Sequence, residues 1–227
     1  MPEAEDVITD IARHATIYAR GLWQRHGKDA ASPATTLRGM ANRLDLLLTA
    51  AFGHSYPLRV AQAPAPATFL VRVFKRGEGP RVQAALPATD GHGIWLPERL
   101  PEVEEPAAAA WYRVLALQQA MRARRGGPAA IAALDKPLQR AIFMVLEAQA
   151  ADRDLAGLLP GLRPALLDFR AAMLRRRPEL AEFPAYRRAL EAWVRSLLAD
   201  SARMAPGDAA GSAGLARAVA ADLGGGG

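Results

Sequence analysis

The residues best suited to acid–base or metal chemistry are few in this sequence and widely separated. The histidines are nowhere spaced as H-x-x-H or H-x-x-x-H; they are His14, His26, His54 and His92. A catalytic zinc ion needs three converging nitrogen or oxygen ligands, and none of these spacings supplies a pair on one helix face. Cysteine is absent, which excludes thiolate nucleophiles, thiolate metal sites and disulfides. We therefore expect no catalytic residue, no metal and no cofactor.

The motifs of nucleotide binding and acyl transfer are also missing. A phosphate-binding loop has the pattern G-x-x-x-x-G-K-[ST]. Here the distance from Gly21 to Gly27-Lys28 is wrong, and Asp29 stands where Ser or Thr is required. Gly91-His92-Gly93 leads into a predicted strand rather than a helix, so it is not a dinucleotide fingerprint. Asp152 and Asp154 lie two apart on a predicted helix and face different directions, so a pairing needs partners from other elements.

The composition is that of a globular protein. The chain has 227 residues, of which 51% are hydrophobic and 23% are charged. No apolar run approaches the ~20 residues that a membrane-spanning helix needs. The acidic start also lacks the basic and then apolar layout of a signal peptide. We expect a cytoplasmic protein.

The chain is basic, with a formal net charge of +6 and a pI of about 10.3. Nearly all of its cations are arginines, since only Lys28, Lys75 and Lys136 are lysines. A basic chain of this kind suits a nucleic-acid-binding domain. The arginines are nevertheless spread along the chain with few aromatic residues between them, so nucleic-acid binding is an alternative rather than the first hypothesis.

The apolar spacing predicts a mainly α fold with a small β-hairpin. A helix pair is expected over 4–53, with helices at 4–27 and from Ser32-Pro33 to Gly53. A proline-rich insert follows at 57–101 and carries short strands at 58–60 and 93–96, with a turn at 89–91 before the second. Further helices are predicted at 105–125, 137–159, 162–177 and 184–202, completing one domain over 1–202. Residues 203–227, rich in Ala, Gly and Ser, read as a flexible linker or a truncated end.

Three segments carry a family resemblance when they are taken together and in order. The first is the run 86–97, LPATDGHGIWLP. The second is 111–120, WYRVLALQQA, and the third joins 143–148, FMVLEA, to 159–162, LPGL. In this order they resemble the N-terminal region of the CbbO and NorD family over about residues 1–200. The early segment His14–Tyr18 with Leu22-Trp23 favours the CbbO branch.

The resemblance implies a function in protein assembly. Members of that family act with hexameric MoxR-type AAA+ ATPases, and they normally carry a C-terminal von Willebrand A domain with a D-x-S-x-S metal site. No D-x-S-x-S occurs in this sequence. The CbbO branch re-activates inhibited Rubisco together with the ATPase CbbQ, and the NorD branch serves maturation of nitric oxide reductase. The chain is thus expected to be a non-catalytic adaptor module, with Rubisco reached through the missing domain.

The resemblance also implies a helical core similar to that of a zinc peptidase that has lost its zinc. The position of H-E-x-x-H would fall on Gln118, Gln119 and Arg122, and a third ligand position on Glu147. Gln118 and Arg122 are four apart and share one helix face. Because a guanidinium has no lone pair for a metal, these residues predict an inactive centre. We expect Arg122 to pair with Glu147 where the metal would lie.

The candidate partner-binding residues are aromatic and basic, the types that anchor protein interfaces. They are His92, Trp95, Arg175, Arg176, Arg177 and Tyr186. Trp111 and Trp193 are instead expected to pack in the core. The sequence also leaves open a third class, an enzyme that uses His92 and distant carboxylates.

Overall fold

The computed structural model describes residues 35–64, 84–100, 103, 107–199 and 209–224. In chain order they form helix α1 (Leu37–Phe52), strands β1 (Leu58–Ala61), β2 (Ala88–Thr89) and β3 (Ile94–Pro97), and helices α2 (Ala107–Arg124), α3 (Gly127–Ala132), α4 (Pro137–Leu158), α5 (Arg163–Arg175), α6 (Ala185–Ala199) and α7 (Ala209–Gly224). Single 3-10 turns precede α5 and α6, at Pro160–Leu162 and Leu180–Glu182. The expectation of a mainly α fold is confirmed. The helix predicted at 4–27 lies outside the described residues.

Helix α1 forms where the apolar spacing predicted it. Thr36 caps its first turn, because the Thr36 hydroxyl accepts a hydrogen bond from the backbone N–H of Gly39 at 3.1 Å. Gly53 ends the helix in a left-handed conformation with φ of 80°, which residues with a Cβ rarely adopt. The buried side chains recur every three or four residues; they are Leu37, Met40, Leu44 and Leu48. The start predicted at Ser32-Pro33 is too early: Thr36 is extended, with φ of -111° and ψ of 158°, and the helix begins at Leu37.

The sheet contains a hairpin at the predicted turn, whose first strand β2 was not predicted, and one parallel strand beside it. Strand β3 is central, antiparallel to β2 and parallel to β1, with Ala88 opposite Trp95 and Leu58 opposite Ile94. The hairpin turn is closed by Asp90, whose Oδ1 accepts from the backbone N–H groups of His92 and Gly93 at 2.8 and 2.7 Å. The strand predicted at 58–60 is therefore not part of the hairpin. It joins the sheet through a long connection, as parallel pairing requires.

Helix α2 is the centre of the molecule. It packs against α1, the sheet, α4 and α5. Ten of its residues are buried, including the side chains of Gln118 and Gln119. The Tyr112 hydroxyl donates to the backbone carbonyls of Pro97 and Glu98, at 3.0 and 2.8 Å, which holds α2 against the end of β3. Burial, reinforced by the charge of Glu98, raises the pKa of Tyr112 to about 12.

Two apolar clusters make the core. The larger one joins α1, the sheet, α2, α4 and α5, and its fully buried members include Leu44, Ile94 and Leu155. The smaller one lies between α3, α4 and α7 and centres on Phe143. The helices predicted at 105–125, 137–159, 162–177 and 184–202 correspond to α2, α4, α5 and α6 with small differences at the ends. None of the described helices combines the length and the hydropathy needed to cross a lipid bilayer.

The C-terminal segment corrects the sequence-based expectation. Residues 203–227 were predicted to be a flexible linker, but 209–224 form helix α7, which lies along α4 and α3. Among its described side chains, 213–221, the buried ones are Ala213, Ala216 and Ala220, spaced three and four apart. Alanine is the best helix former, and its small side chain packs closely against a neighbouring helix, so a composition typical of a linker here forms a packed helix.

Candidate functional site

The four residues at the predicted metal-ligand positions lie on the facing helices α2 and α4. Gln118, Gln119 and Arg122 are on α2 and Glu147 is on α4. Gln118, Gln119 and Glu147 are buried, with exposed fractions of 7%, 3% and 2%. Such polar side chains are stable in an interior only when they are hydrogen-bonded or charge-paired. We call the group of Gln118, Arg122, Arg125, Glu147, Asp152, Asp154 and Arg170 the buried polar cluster.

The sequence predicts that Glu147 pairs with Arg122. In the structure Glu147 is paired with Arg125 instead. The Arg125 Nε donates to Glu147 Oε1 at 2.7 Å, and Nη2 donates to Oε2 at 3.2 Å. Arg125 also bonds Asp154, which lies seven residues after Glu147 and so on the same face of α4. Arg125 stands in the turn after α2, where its side chain reaches both carboxylates. These contacts outweigh the effect of burial and raise the pKa of Arg125 above its ordinary value.

Arg122 lies beside this pair without a hydrogen bond to it. The residue is half-buried, but its Nε atom is enclosed and has no partner among the described residues. Burial lowers the pKa of Arg122 below its ordinary value, and the charges of Asp152 and Glu147 act against that shift. The predicted Arg122–Glu147 ion pair is therefore wrong, because the arginine that binds Glu147 is Arg125. Arg122 contributes a positive charge near two carboxylates rather than a paired contact.

Asp152 joins three helices. Its Oδ1 accepts a hydrogen bond from Gln118 Nε2 of α2 at 2.5 Å, and its Oδ2 accepts from Arg170 Nε of α5 at 2.7 Å. The side chains of Asp152 and Arg170 are 9% and 12% exposed. Asp152 and Asp154 do face different directions, as their spacing indicated, and each is bonded to an arginine of another element.

The buried polar cluster does not suit a metal ion. Arginine donates hydrogen bonds and has no lone pair to give, and the carboxylates of Glu147 and Asp152 are already engaged by arginine or glutamine. Within residues 35–64, 84–100, 103, 107–199 and 209–224, no three His, Asp or Glu side chains are grouped so that they could hold a metal. The arrangement is a charge-balanced contact between helices, with three arginines facing three carboxylates.

Two of the predicted partner-binding residues, His92 and Trp95, belong to the hairpin. His92 is exposed in the hairpin turn. Trp95 is half-buried, and the guanidinium of Arg59 lies 5.2 Å from the centre of its ring. The Trp95 Nε1 atom is buried without a partner among the described residues. This surface exposes a cation stacked on an aromatic ring, a contact typical of interface anchors.

The three arginines at the end of α5 have different surroundings. Arg175 is exposed. Arg176 stacks on Trp111, 4.7 Å from the ring centre, and Trp111 packs edge-on against Phe169 at 5.0 Å. Trp111 is half-buried rather than enclosed in the core.

Arg177 forms an ion pair with a buried carboxylate, although its own side chain is 32% exposed. Both of its contacts to Glu191 of α6 are 2.6 Å long, and Glu191 is 4% exposed. Arg195 binds the same carboxylate at 3.0 Å. Burial alone would raise the pKa of Glu191, but the hydrogen bonds and charges of Arg177 and Arg195 outweigh it and lower the pKa below its ordinary value. The other candidate, Tyr186, lies on α6, and its side chain is not among the described ones.

Replacing Glu191 with Gln is expected to flatten the acid side of the stability profile. The folded pKa of Glu191 lies below its ordinary value, so the ionised side chain contributes stability above about pH 4.5 that is lost as the pH falls through the folded pKa. At neutral pH the variant should be about 2 kcal/mol less stable, because two arginines lose a charged hydrogen-bond partner. Urea unfolding at a series of pH values measures both effects.

Glu98→Gln is the control, because its effect on the pH dependence of stability is expected to have the opposite sign. Burial raises the pKa of Glu98 above its ordinary value, against the charges of Arg38 and Arg99 and the backbone N–H of Arg38. Because the ionised form is unfavourable in the folded protein, protonation of Glu98 adds stability as the pH falls. Removal of the Glu98 carboxyl is therefore expected to make the free energy of unfolding fall more steeply as the pH is lowered. A Glu191→Gln profile parallel to that of the wild type would contradict the prediction.

Sequence reasoning missed the main partners in the buried polar cluster, Arg125 and Arg170. The available signal was the seven-residue spacing of Glu147 and Asp154, which marks one charged stripe on α4. Opposite it, the arginines at the end of α2 offered the matching charges. The sequence did not indicate which arginine is buried, since Arg122, Arg124 and Arg125 lie within four residues of one another and only tertiary contacts distinguish them.

Comparison of the whole chain with known protein families, with curated proteins and with solved structures gives no match.

Proposed function

We propose that this chain is a cytoplasmic, non-catalytic adaptor module that docks on a hexameric MoxR-type AAA+ ATPase and links it to a client, with Rubisco as the favoured client. The proposal rests on the resemblance to the CbbO and NorD family of segments 86–97, 111–120 and 143–148 with 159–162. It predicts that the chain acts through its surface and that its polar interior has a structural role.

The observation that carries the proposal is the pairing within the buried polar cluster. Two of the residues that the resemblance places at zinc-ligand positions are engaged in this way: Glu147 is bound by Nε and Nη2 of Arg125, and Gln118 donates to Asp152, which also accepts from Arg170. Every oxygen of these two carboxylates therefore already accepts a hydrogen bond from an arginine or a glutamine. The interior therefore supports the packing of α2 on α4 and α5, which leaves the surface as the functional part.

Two surfaces suit an acidic partner. One is the hairpin surface with His92 and the stacked Arg59–Trp95 pair. The other is the end of α5, where Arg175 is exposed beside the Arg176–Trp111 stack. Cations near aromatic rings are the usual anchors of protein interfaces, and their charge also steers association.

The first test is size-exclusion chromatography of this chain with a CbbQ-type hexamer, with and without ATP. Co-elution is expected. The variant Arg175→Glu should weaken binding roughly tenfold, as expected for reversal of a charge at an interface. Arg163→Glu, an equally exposed arginine at the other end of α5, is the matched control and should bind as the wild type does.

The outcomes separate the alternatives. Binding to a NorD-type ATPase instead would place the chain in the nitric oxide reductase branch. A salt-sensitive gel shift with DNA or RNA, without ATPase binding, would favour the nucleic-acid alternative, because phosphate contacts weaken steeply with salt. A folded chain that binds neither ATPase would contradict the adaptor proposal for this module.

A further inference from the structure

Half of the net positive charge of the chain lies in the segment 175–195, which runs from the end of α5 into α6. The segment contains six arginines and three glutamates, so it carries +3 of the formal +6. Two of the glutamates, Glu179 and Glu182, accept hydrogen bonds from each other's backbone N–H groups in the 3-10 turn before α6. The third, Glu191, lies among the arginines.

Three arginines are placed around Glu191, and we call Arg177, Arg188 and Arg195 the arginine group. The Nε atoms of Arg177 and Arg195 both donate to Glu191 Oε1, at 2.6 and 3.0 Å. Arg188 lies three residues before Glu191 and seven before Arg195, so it is on the same face of α6. Glu191 supplies one negative charge against three positive ones. It therefore leaves two positive charges of the arginine group unbalanced.

All three guanidiniums are anchored to the protein by the same edge, the one formed by Nε and Nη2. Arg177 donates from this edge to both oxygens of Glu191, each at 2.6 Å. Arg195 donates to Glu191 and to a backbone carbonyl of the connection before α6. Arg188 donates to two further carbonyls of that connection, at 2.9 and 3.4 Å. Within the described part of the chain, Nη1 of the arginine group makes no hydrogen bond.

The arginine group is also accessible to solvent. The side chains of Arg177 and Arg195 are 32% and 27% exposed, and Arg188 is exposed. A guanidinium has five N–H donors in a planar fork, and an oxyanion typically takes two of them in parallel. Because two hydrogen bonds already hold each guanidinium in place, an oxyanion at the Nη1 side need not order a long flexible side chain.

We propose that Arg177 and Arg195, with Arg188 beside them, form a binding site for the phosphate group of a small molecule. A phosphate monoester carries about two negative charges at pH 7 and three acceptor oxygens. That charge matches the two positive charges that Glu191 leaves unbalanced, whereas a carboxylate brings only one. Glu191 stays at the Nε edge and fixes the two guanidiniums. The site goes beyond the adaptor function and does not depend on the ATPase or the client.

The first test is isothermal titration of the full chain with inorganic phosphate at mildly alkaline pH, where phosphate is mainly the dianion. Saturable binding is expected. Arg177→Gln should weaken it about tenfold, as expected for loss of a charged hydrogen-bond donor. Arg163→Gln is the matched control, since Arg163 is an exposed arginine at the other end of α5, and should bind as the wild type does. No saturable binding by the wild type would overturn the proposal.

A second variant guards against unfolding of Arg177→Gln, which leaves Glu191 with fewer partners. Arg188→Gln loses only exposed hydrogen bonds to backbone carbonyls, so it is expected to stay folded by circular dichroism. It should bind phosphate about threefold more weakly, because one nearby positive charge is lost. Wild-type phosphate affinity in Arg188→Gln and Arg177→Gln alike would overturn the proposal.

Two further probes identify the ligand chemistry. Acetate, a carboxylate with one charge, is expected to bind at least about tenfold more weakly than inorganic phosphate. Equal affinity for the two would overturn the assignment to phosphate. Single-stranded DNA offers phosphodiesters with one charge each. Binding of DNA without binding of inorganic phosphate would show that the arginine group follows a nucleic-acid backbone and is not a site for a small phosphate ligand.

Discussion

Replacing Arg125 with Met is expected to lower the free energy of unfolding by about 3–5 kcal/mol. The side chain of Arg125 is 5% exposed and makes two hydrogen bonds to Glu147, whose side chain is 3% exposed. Removal of the guanidinium leaves the Glu147 carboxylate buried and unpaired, which is the costly way to break an internal ion pair. Urea unfolding followed by circular dichroism measures the change.

The double variant Arg125→Met with Glu147→Leu separates the charge from the packing. Because it removes both charges, it is expected to regain most of the lost stability. Arg124→Met is the matched control: Arg124 precedes Arg125, is exposed, and should change stability by no more than about 0.5 kcal/mol. If Arg125→Met lowers the free energy of unfolding by less than about 1 kcal/mol, Arg122 pairs with Glu147 in its place. That result would contradict the role assigned to Arg125.

Replacing Asp152 with Ala is expected to cost about 3 kcal/mol of stability. The change leaves Gln118 without its acceptor and the Arg170 guanidinium, whose side chain is 12% exposed, without its carboxylate. Since the three residues come from α2, α4 and α5, the contact between all three helices weakens. The midpoint of thermal or urea unfolding measures the effect.

Two further variants show which part of Asp152 matters. Asp152→Asn keeps an oxygen that accepts from Gln118 but removes the charge opposite Arg170, so an intermediate loss is expected. Asp168→Ala removes an exposed carboxylate from α5 and is expected to change stability by less than about 0.5 kcal/mol. Equal losses for Asp152→Ala and Asp168→Ala would mean that the buried contact contributes nothing beyond a surface charge.

The local signals in the sequence determined most of the helices. The apolar spacing in 37–52 places α1, where Thr36 and Gly53 provide the caps. Pro137 and Pro160 mark the two ends of α4. These predictions succeed because helix spacing, caps and proline act within a few residues of one another. The absence of spaced histidines and of cysteine likewise followed from the sequence alone.

Tertiary structure decided the contacts between distant segments. It selected Arg125 rather than Arg122 as the partner of Glu147, set β1 parallel to β3, and docked the Ala-rich segment 209–224 on α4. Spacing along one helix shows which residues share a face, but it does not show which side chain from another helix reaches them. That choice depends on how two helices are placed against each other, and the packing of the whole core determines that placement.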